Sequence, residues 1–391
     1  MKRIQKNLLK SACALSVLTL SLNALASEGF KAHYTPASLS GETTISQEDR
    51  PGFFGSFYVT GFNVSQVSDT NGNNGPVVNV TPAQLAAYVP AYSSYFNALG
   101  TSAGGLPPLT SAAVTETVTQ SQSQANLIAG YITSEKYMGG NLIAAINIPL
   151  ITSTRSVTAS VDSATLAKAA SQGTTAVIVG TANAVAAARS GSAGGLGDIE
   201  LTGAWSRFNG TNMKYIAGLT LVAPTGSFDP NMPVNLGYGY YTIKPSVAAI
   251  YHEKSWSFGG RASYGYNTVN SSSNYQSGNY VAFELSGAYK LPHVSVGLNV
   301  TQFNQISDDS YSGNLNAIGL AGNSATTSLN GVNVPIDGGQ RTSYTAISPF
   351  VAIPLRESGS LITLSYLTTP NASDSMLIKS YLQFRWTQVF K

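Results

Sequence analysis

The chain has 391 residues and a formal net charge of +3, and only 10% of it is charged, against 21 Tyr and 38 Gly; a typical soluble domain is about one-quarter charged. So small a positive balance gives no footprint for nucleic acid, whereas few charges and many tyrosines suit a wall that faces lipid. With one cysteine, Cys13, and three histidines, His33, His252 and His293, there is no disulfide framework and no Cys-based metal site.

The N-terminus reads as a cleaved export signal over residues 1–26. Lys2, Arg3, Lys6 and Lys10 make a positive start, Ser11 to Leu22 an apolar run too short to span a bilayer, and Ala24 and Ala26 the small positions of an A-x-A-type site. Cys13 precedes most of that run, where a lipid-anchored cysteine would follow it. The mature chain then starts at Ser27. Residues 27–52 are too irregular for a strand and are expected to plug a lumen or to lie in the periplasm.

No later stretch is apolar enough for a spanning helix, so an exported chain that crosses a membrane does so as a closed barrel. A lipid-exposed strand shows its side chains alternately outward and inward. In 197–206 the outward set is Ile199, Leu201, Gly203 and Trp205, against Asp198, Glu200, Thr202, Ala204 and Ser206. The split repeats in 255–266 and 281–291. In the last strand Met376, Ile378, Leu382, Phe384, Trp386 and Phe390 oppose Lys379, Tyr381, Gln383, Arg385 and Thr387. Its alternate terminal aromatics are the pattern read by the outer-membrane assembly machinery, with Lys391 after them. Residues 53–391 thus predict an all-β antiparallel transmembrane β-barrel of about twelve strands, near 53–67, 120–134, 136–152, 196–208, 213–225, 239–252, 255–268, 279–290, 294–306, 341–355, 360–369 and 375–390. The first two and the tenth alternate poorly. Connections sort by parity: one set is short (Glu135, 209–212, 253–254, 291–293, 356–359), and most of the other set are long (68–119, 153–195, 226–238, 269–278, 307–340). That asymmetry is the outer-membrane signature.

Two outer loops carry helix-like apolar sequence. In the first, Thr81 and Pro82 start a helix that presents Tyr88, Tyr92 and Phe96 at helical spacing; in the second, Asp162 or Ser163 caps a helical stretch that continues through Val177 and Val179. They read either as a capture surface for hydrophobic molecules or as packing that orders long loops on the barrel rim. The lumen is assigned Glu200, Lys214, Lys244, Arg261, Glu284, Lys290, Lys379 and Arg385. This mainly basic set would favour anionic permeants or stiffen the wall as a cross-strand network.

Catalytic chemistry finds little support. His252 and His293 fall in short turns and His33 before the first strand, all read as solvated, and no P-loop or H-E-x-x-H occurs. Asp308, Asp309 and Asp337 share one loop but make a weak Ca²⁺ pattern. No cofactor or metal is expected.

The segments Glu28–Ser38, Arg50–Phe54, Gly194–Trp205, Ala223–Pro230 and Asn235–Tyr241, in this order and spacing, resemble the meta-pathway of phenol degradation family of outer-membrane transporters, also called SphA-like. The resemblance implies a barrel of single-chain size associated with uptake of aromatic or other hydrophobic compounds. It implies no catalytic residue. The expected partners are outer-membrane lipid, the assembly machinery and a small-molecule permeant. A general porin for hydrophilic solutes is the alternative, ahead of an outer-membrane lipase or a surface adhesin; the oligomeric state is left open.

Overall fold

The computed structural model describes residues 33–68, 77–80, 112–171, 175–188, 190–229, 232–272, 274–308, 310–311, 326–329, 332–335, 341–355, 360–373 and 375–390. The expected export signal and the helix of the first outer loop lie outside them. Ahead of the first strand is a short helix, α1 (Glu42–Ile45). The strands of the wall are β1 (Gly52–Ser68), β2 (Ala112–Tyr137), β3 (Gly140–Val161), β4 (Ile199–Phe208), β5 (Met213–Ala223), β6 (Thr242–Glu253), β7 (Trp256–Asn267), β8 (Tyr280–Lys290), β9 (Ser295–Gln305), β10 (Ser343–Leu355), β11 (Ser360–Ser373) and β12 (Ser375–Val389). Each pairs antiparallel with the next, and β1 pairs with β12, so the sheet closes into a 12-stranded barrel without a free edge. No described helix is long and apolar enough to cross a membrane.

Alternation holds over most of the wall. In β8, Phe283 and Leu285 point outward at 53% and 69% exposure, while Glu284 between them is 1% exposed. At the end of the short turns, Phe53 meets Tyr131 and Trp256 meets Phe258 and Tyr289, part of an outer belt of rings suited to a membrane interface.

The structure corrects three sequence expectations. The first short turn is at Met138–Gly139, both with positive φ, and not at Glu135. Glu135 instead lies in a bulge, where Thr133 Oγ1 donates to its carbonyl and the register shifts between Ile132 and Lys136. In β12 the pairing jumps from Asn63–Ser380 to Val64–Ile378, leaving Lys379 as the extra residue. One residue of slip reverses the faces, so Ile378 is buried inside instead of facing lipid. Thirdly, His252 is not a solvated turn residue: it lies within β6 and is 3% exposed, and His33 is 1% exposed.

β1 and β10 alternate poorly in sequence because their inner faces are not polar. Leu39, from the segment before β1, packs with inward-facing Phe54, Tyr58, Ile128, Ile143, Ile216 and Ile250. Nearer the long-loop end, Tyr34 packs with Phe62, Tyr280, Phe303, Tyr344 and Ile378. Inside the barrel, three rings each lie on a glycine of the neighbouring strand. A Cβ would sit 2.1 Å from the Phe54 ring at Gly130, 2.1 Å from Tyr280 at Gly265 and 2.2 Å from Phe350 at Gly297.

Beyond the barrel, β2 and β3 continue as a long hairpin. Val77–Val80 pairs with the start of β2, and Gly191–Leu196 with β3. The second outer loop holds the helices α2 (Ser163–Ser171) and α3 (Thr175–Ala188). The α2 start is capped by Asp162, whose Oδ1 accepts from the Ala164 N–H at 2.9 Å. Helix α3 packs against β3 with Ala182 and Ala186 buried.

Candidate functional site: the lumen and its N-terminal segment

Residues 33–51 run through the barrel from the long-loop end to the short-turn end. His33 sits beside Thr242 and Asn267, where β6 begins and β7 ends, while Asp49 reaches Lys214 at the start of β5. The segment carries few charges but many hydroxyls and rings, which lets it fill a lumen whose wall supplies hydrogen-bond partners.

The wall grips it at three levels. At the top, His33 Nε2 lies 2.9 Å from Asp198 Oδ2 and its Nδ1 2.5 Å from Thr242 Oγ1. The His33 carbonyl accepts from Lys244 Nζ and from the Tyr280 hydroxyl, each at 2.9 Å. At mid-height Glu284 is the hub. It accepts from the Tyr34 hydroxyl, from Ser38 Oγ at 2.5 Å, from the Leu39 N–H at 2.9 Å and from Asn299 Nδ2 at 3.2 Å. Arg261 lies 3.4 Å from the same carboxylate and also donates to Ser38. Next to this hub the Ala37 N–H donates to Thr301 Oγ1 at 3.0 Å. At the bottom Lys214 and Asp49 form an ion pair at 2.8 Å, with both side chains buried.

Asp198 also ties in the outer connection 224–241, which folds inward with Val234, Leu236, Tyr238 and Tyr240 buried. Its two oxygens accept from the N–H groups of Gly226 and Tyr238, each at 2.9 Å. Gly226 and Gly237 abut so closely that a Cβ on the first would lie 2.8 Å from the backbone of the second. The His33 ring stands edge-on to Tyr238 at 4.2 Å and to Tyr240 at 5.2 Å. Tyr34, Tyr280, Phe303 and Tyr344 continue this aromatic lining, with Phe303 and Tyr344 stacked at 4.9 Å.

Of the lumen residues expected from sequence, Lys214, Lys244, Arg261 and Glu284 therefore meet on the N-terminal segment. Glu200 is buried beside Asn147, and its Oε2 has no hydrogen-bond partner among the described residues. Arg385 lies over the Tyr58 ring at 5.0 Å. Lys290 is half-buried, with Nζ 3.4 Å from His252 Nδ1. Lys379 occupies the β12 bulge, and its side chain is outside the described residues.

Of the loop residues, Tyr88, Tyr92 and Phe96 and the side chain of Val177 lie outside them too, while Val179 is half-buried on α3. Asp308 pairs with Arg341 at 2.8 Å, Asp309 and Asp337 are outside the described residues, and no metal-holding cluster occurs among those described. His252 Nδ1 lies 3.0 Å from Ser257 Oγ, a Ser–His contact with no carboxylate on Nε2; His293 is exposed in its turn. Sequence reasoning placed Asp198 on the inner face but gave it no role, and it gave none to Tyr34 or Ser38. The available signal was a run of His, Tyr, Thr and Ser carrying Leu39 and Ile45, apolar residues that needed cover.

Burial holds the His33 imidazole below its ordinary pKa, against the pull of Asp198 through hydrogen bond and charge; Lys244 adds to the lowering and Glu200 opposes it. A histidine whose pKa is lowered on docking takes up a proton more readily when released. Docking should hold fully above the free value of about 6.5 and weaken as pH falls from there through the lowered value. Conductance of the reconstituted protein is expected to rise on acidification across that window, and a His33→Gln variant to lose the dependence. A flat native profile would remove His33 as the titrating group.

The chain matches the profile of the family described as "Putative MetA-pathway of phenol degradation" over residues 110–369. No curated protein matches it. Among solved structures, it is similar to the COG4313 outer membrane channel from Pseudomonas putida F1, with 13% identity over 88% of this chain and 98% of that one and a TM-score of 0.56. The beta domain of the Bordetella autotransporter BrkA gives 11% identity over 87% and 100% and a TM-score of 0.41. For a Pseudomonas aeruginosa FadL homologue the values are 8%, 95%, 99% and 0.40. At these identities only the first likeness bears on the barrel, and it bears on the fold alone.

Proposed function

The chain belongs to the family described as "Putative MetA-pathway of phenol degradation", and from that premise we propose that it is a gated outer-membrane channel for passive uptake of small hydrophobic compounds, aromatic ones among them. The observation that carries the proposal is the N-terminal segment held inside the barrel at three levels, with an aromatic and apolar lining around it. The charged lumen residues then act first as docking points for the gate and only second as a coating of the pathway. A permeant rich in rings gains by burial against Tyr238, Tyr240, Phe303 and Tyr344, at about 25 cal/mol per Å² of apolar area.

The test is entry of a small fluorescent aromatic hydrocarbon into proteoliposomes, beside swelling of the same vesicles in a disaccharide. Protein-dependent entry of the hydrocarbon without sugar-driven swelling is the expected result. Rapid swelling in sugar would establish a general porin and overturn this reading.

A further inference from the structure

The hairpin of β2 and β3 rises past the apolar belt, and its outward face changes character abruptly. The row Val59–Ala125–Leu150–Leu196, linked strand to strand, is the last apolar one. Above it the outward positions pair as Ser123–Thr152, Ser121–Thr154, Thr119–Ser156 and Thr117–Thr158. Every one of these is a hydroxyl residue, and every one is exposed. Asn63 on β1 and Ser192 beside β3 widen the patch without adding charge. Rows of a pleated sheet recur about every 6.6 Å along the strand and 4.8 Å across it, so the patch is a flat grid of donor–acceptor groups.

An ordinary solvated surface would be roughly 25–35% charged. A surface for acyl chains would be apolar like the row below it, and one for phosphates would bring Arg or Lys. The inner face of the same extension is occupied by α3 and by the buried side chains of Gln120, Gln122, Ser153 and Arg155, which leaves the outward face as the open side.

We propose that this grid binds the sugar headgroups of the outer-leaflet glycolipid that surrounds the barrel. The uncharged hydroxyl chemistry matches neutral sugar hydroxyls. The position, continuous with the lipid-facing wall and directly above its apolar edge, is where such headgroups lie. The inference rests on the barrel's membrane setting and is independent of what the lumen passes.

The test uses the full-length protein refolded into phospholipid vesicles, into vesicles with lipopolysaccharide carrying its core sugars, and into vesicles with lipid A lacking them. The readout is the temperature at which the SDS-resistant folded band is lost. For the native protein the core-sugar vesicles are expected to raise that temperature by several degrees over lipid A. A T119A/S121A/T154A/S156A variant should show no difference between the two, yet match the native protein in phospholipid. Single Thr119→Val and Thr154→Val variants, which keep side-chain shape, should each lose part of the shift, and Thr154→Ser should keep it. These single variants decide the matter if the fourfold variant does not fold. Equal stabilities of the native protein with and without core sugars would overturn the proposal, as would a shift that survives loss of the hydroxyls. So would crosslinking of the native grid to a second copy of the chain in core-sugar vesicles.

Discussion

A Gly41→Cys/Thr363→Cys variant is expected to be silent when oxidised and to regain permeation when reduced, with a difference of tenfold or more in hydrocarbon entry. A Cβ at Gly41 would lie 3.3 Å from the Thr363 Cβ, close to the separation of about 3.5–4.5 Å that a disulfide needs. Thr363 belongs to β11, so the bridge ties the segment to the wall. The left-handed φ of 71° at Gly41 makes any side chain there cost about 1–2 kcal/mol. That strain loosens the reduced form slightly and so widens the contrast. The only native cysteine is Cys13, which leaves no competing thiol beyond it. Deleting residues 33–46 should have the opposite effect, a channel that conducts permanently. Permeation that is equal in the oxidised and reduced forms would show that the segment is a fixed part of the wall and not a gate.

The second large effect is expected at Glu284. Glu284→Leu removes the acceptor shared by Tyr34, Ser38, the Leu39 N–H and Asn299, and it leaves Arg261 buried without that carboxylate. Breaking one side of a buried charge pair costs about 3–5 kcal/mol, or roughly two to four orders of magnitude in an equilibrium constant. The loss should fall on docking more than on the barrel, because the backbone ladders of β8 to β7 and β9 do not depend on this side chain. Protease cleavage within 33–51 should accelerate accordingly, and conductance should rise in parallel. Glu284→Gln retains acceptors and size and should lie between the two. A Glu284→Leu protein with native protection of the segment would mean that the apolar layers around Leu39 and Tyr34 suffice to hold it.

Most of the wall was legible because lipid and backbone hydrogen bonding leave so few options. The outward faces of β4, β7 and β8 follow from alternation alone, and the strand number from alternation together with the parity of loop lengths. What alternation assumes is a wet, polar interior. Where the segment fills the lumen, inward positions become Phe54, Tyr58, Phe62 and Phe350, and the pattern of period two fades for a physical reason. The same assumption hid the role of Lys214, Lys244, Arg261 and Glu284, which in sequence are indistinguishable from charges lining an open pore. His252 was read with the turn at Glu253 and Lys254 although the expected strand already ran to it, and β6 turns that histidine inward. The bulge at Lys379 leaves no mark in sequence, because an inserted residue looks like any other until its partner strand is known.

The threaded segment also dictates an order of events in biogenesis. Its hydrogen-bonding and ionic partners lie at Asp198 just before β4 and on β5 through β9, its apolar contacts reach round to β1, β2, β3, β10 and β12, and the strand that follows it, β1, closes the ring against β12. Feeding a chain with a helical turn and bulky Tyr34 up through a finished, close-packed barrel would require the wall to part again. The segment must therefore settle on a still-open curved sheet, with the β1–β12 seam zipped last, so that the barrel is built around the chain that fills it.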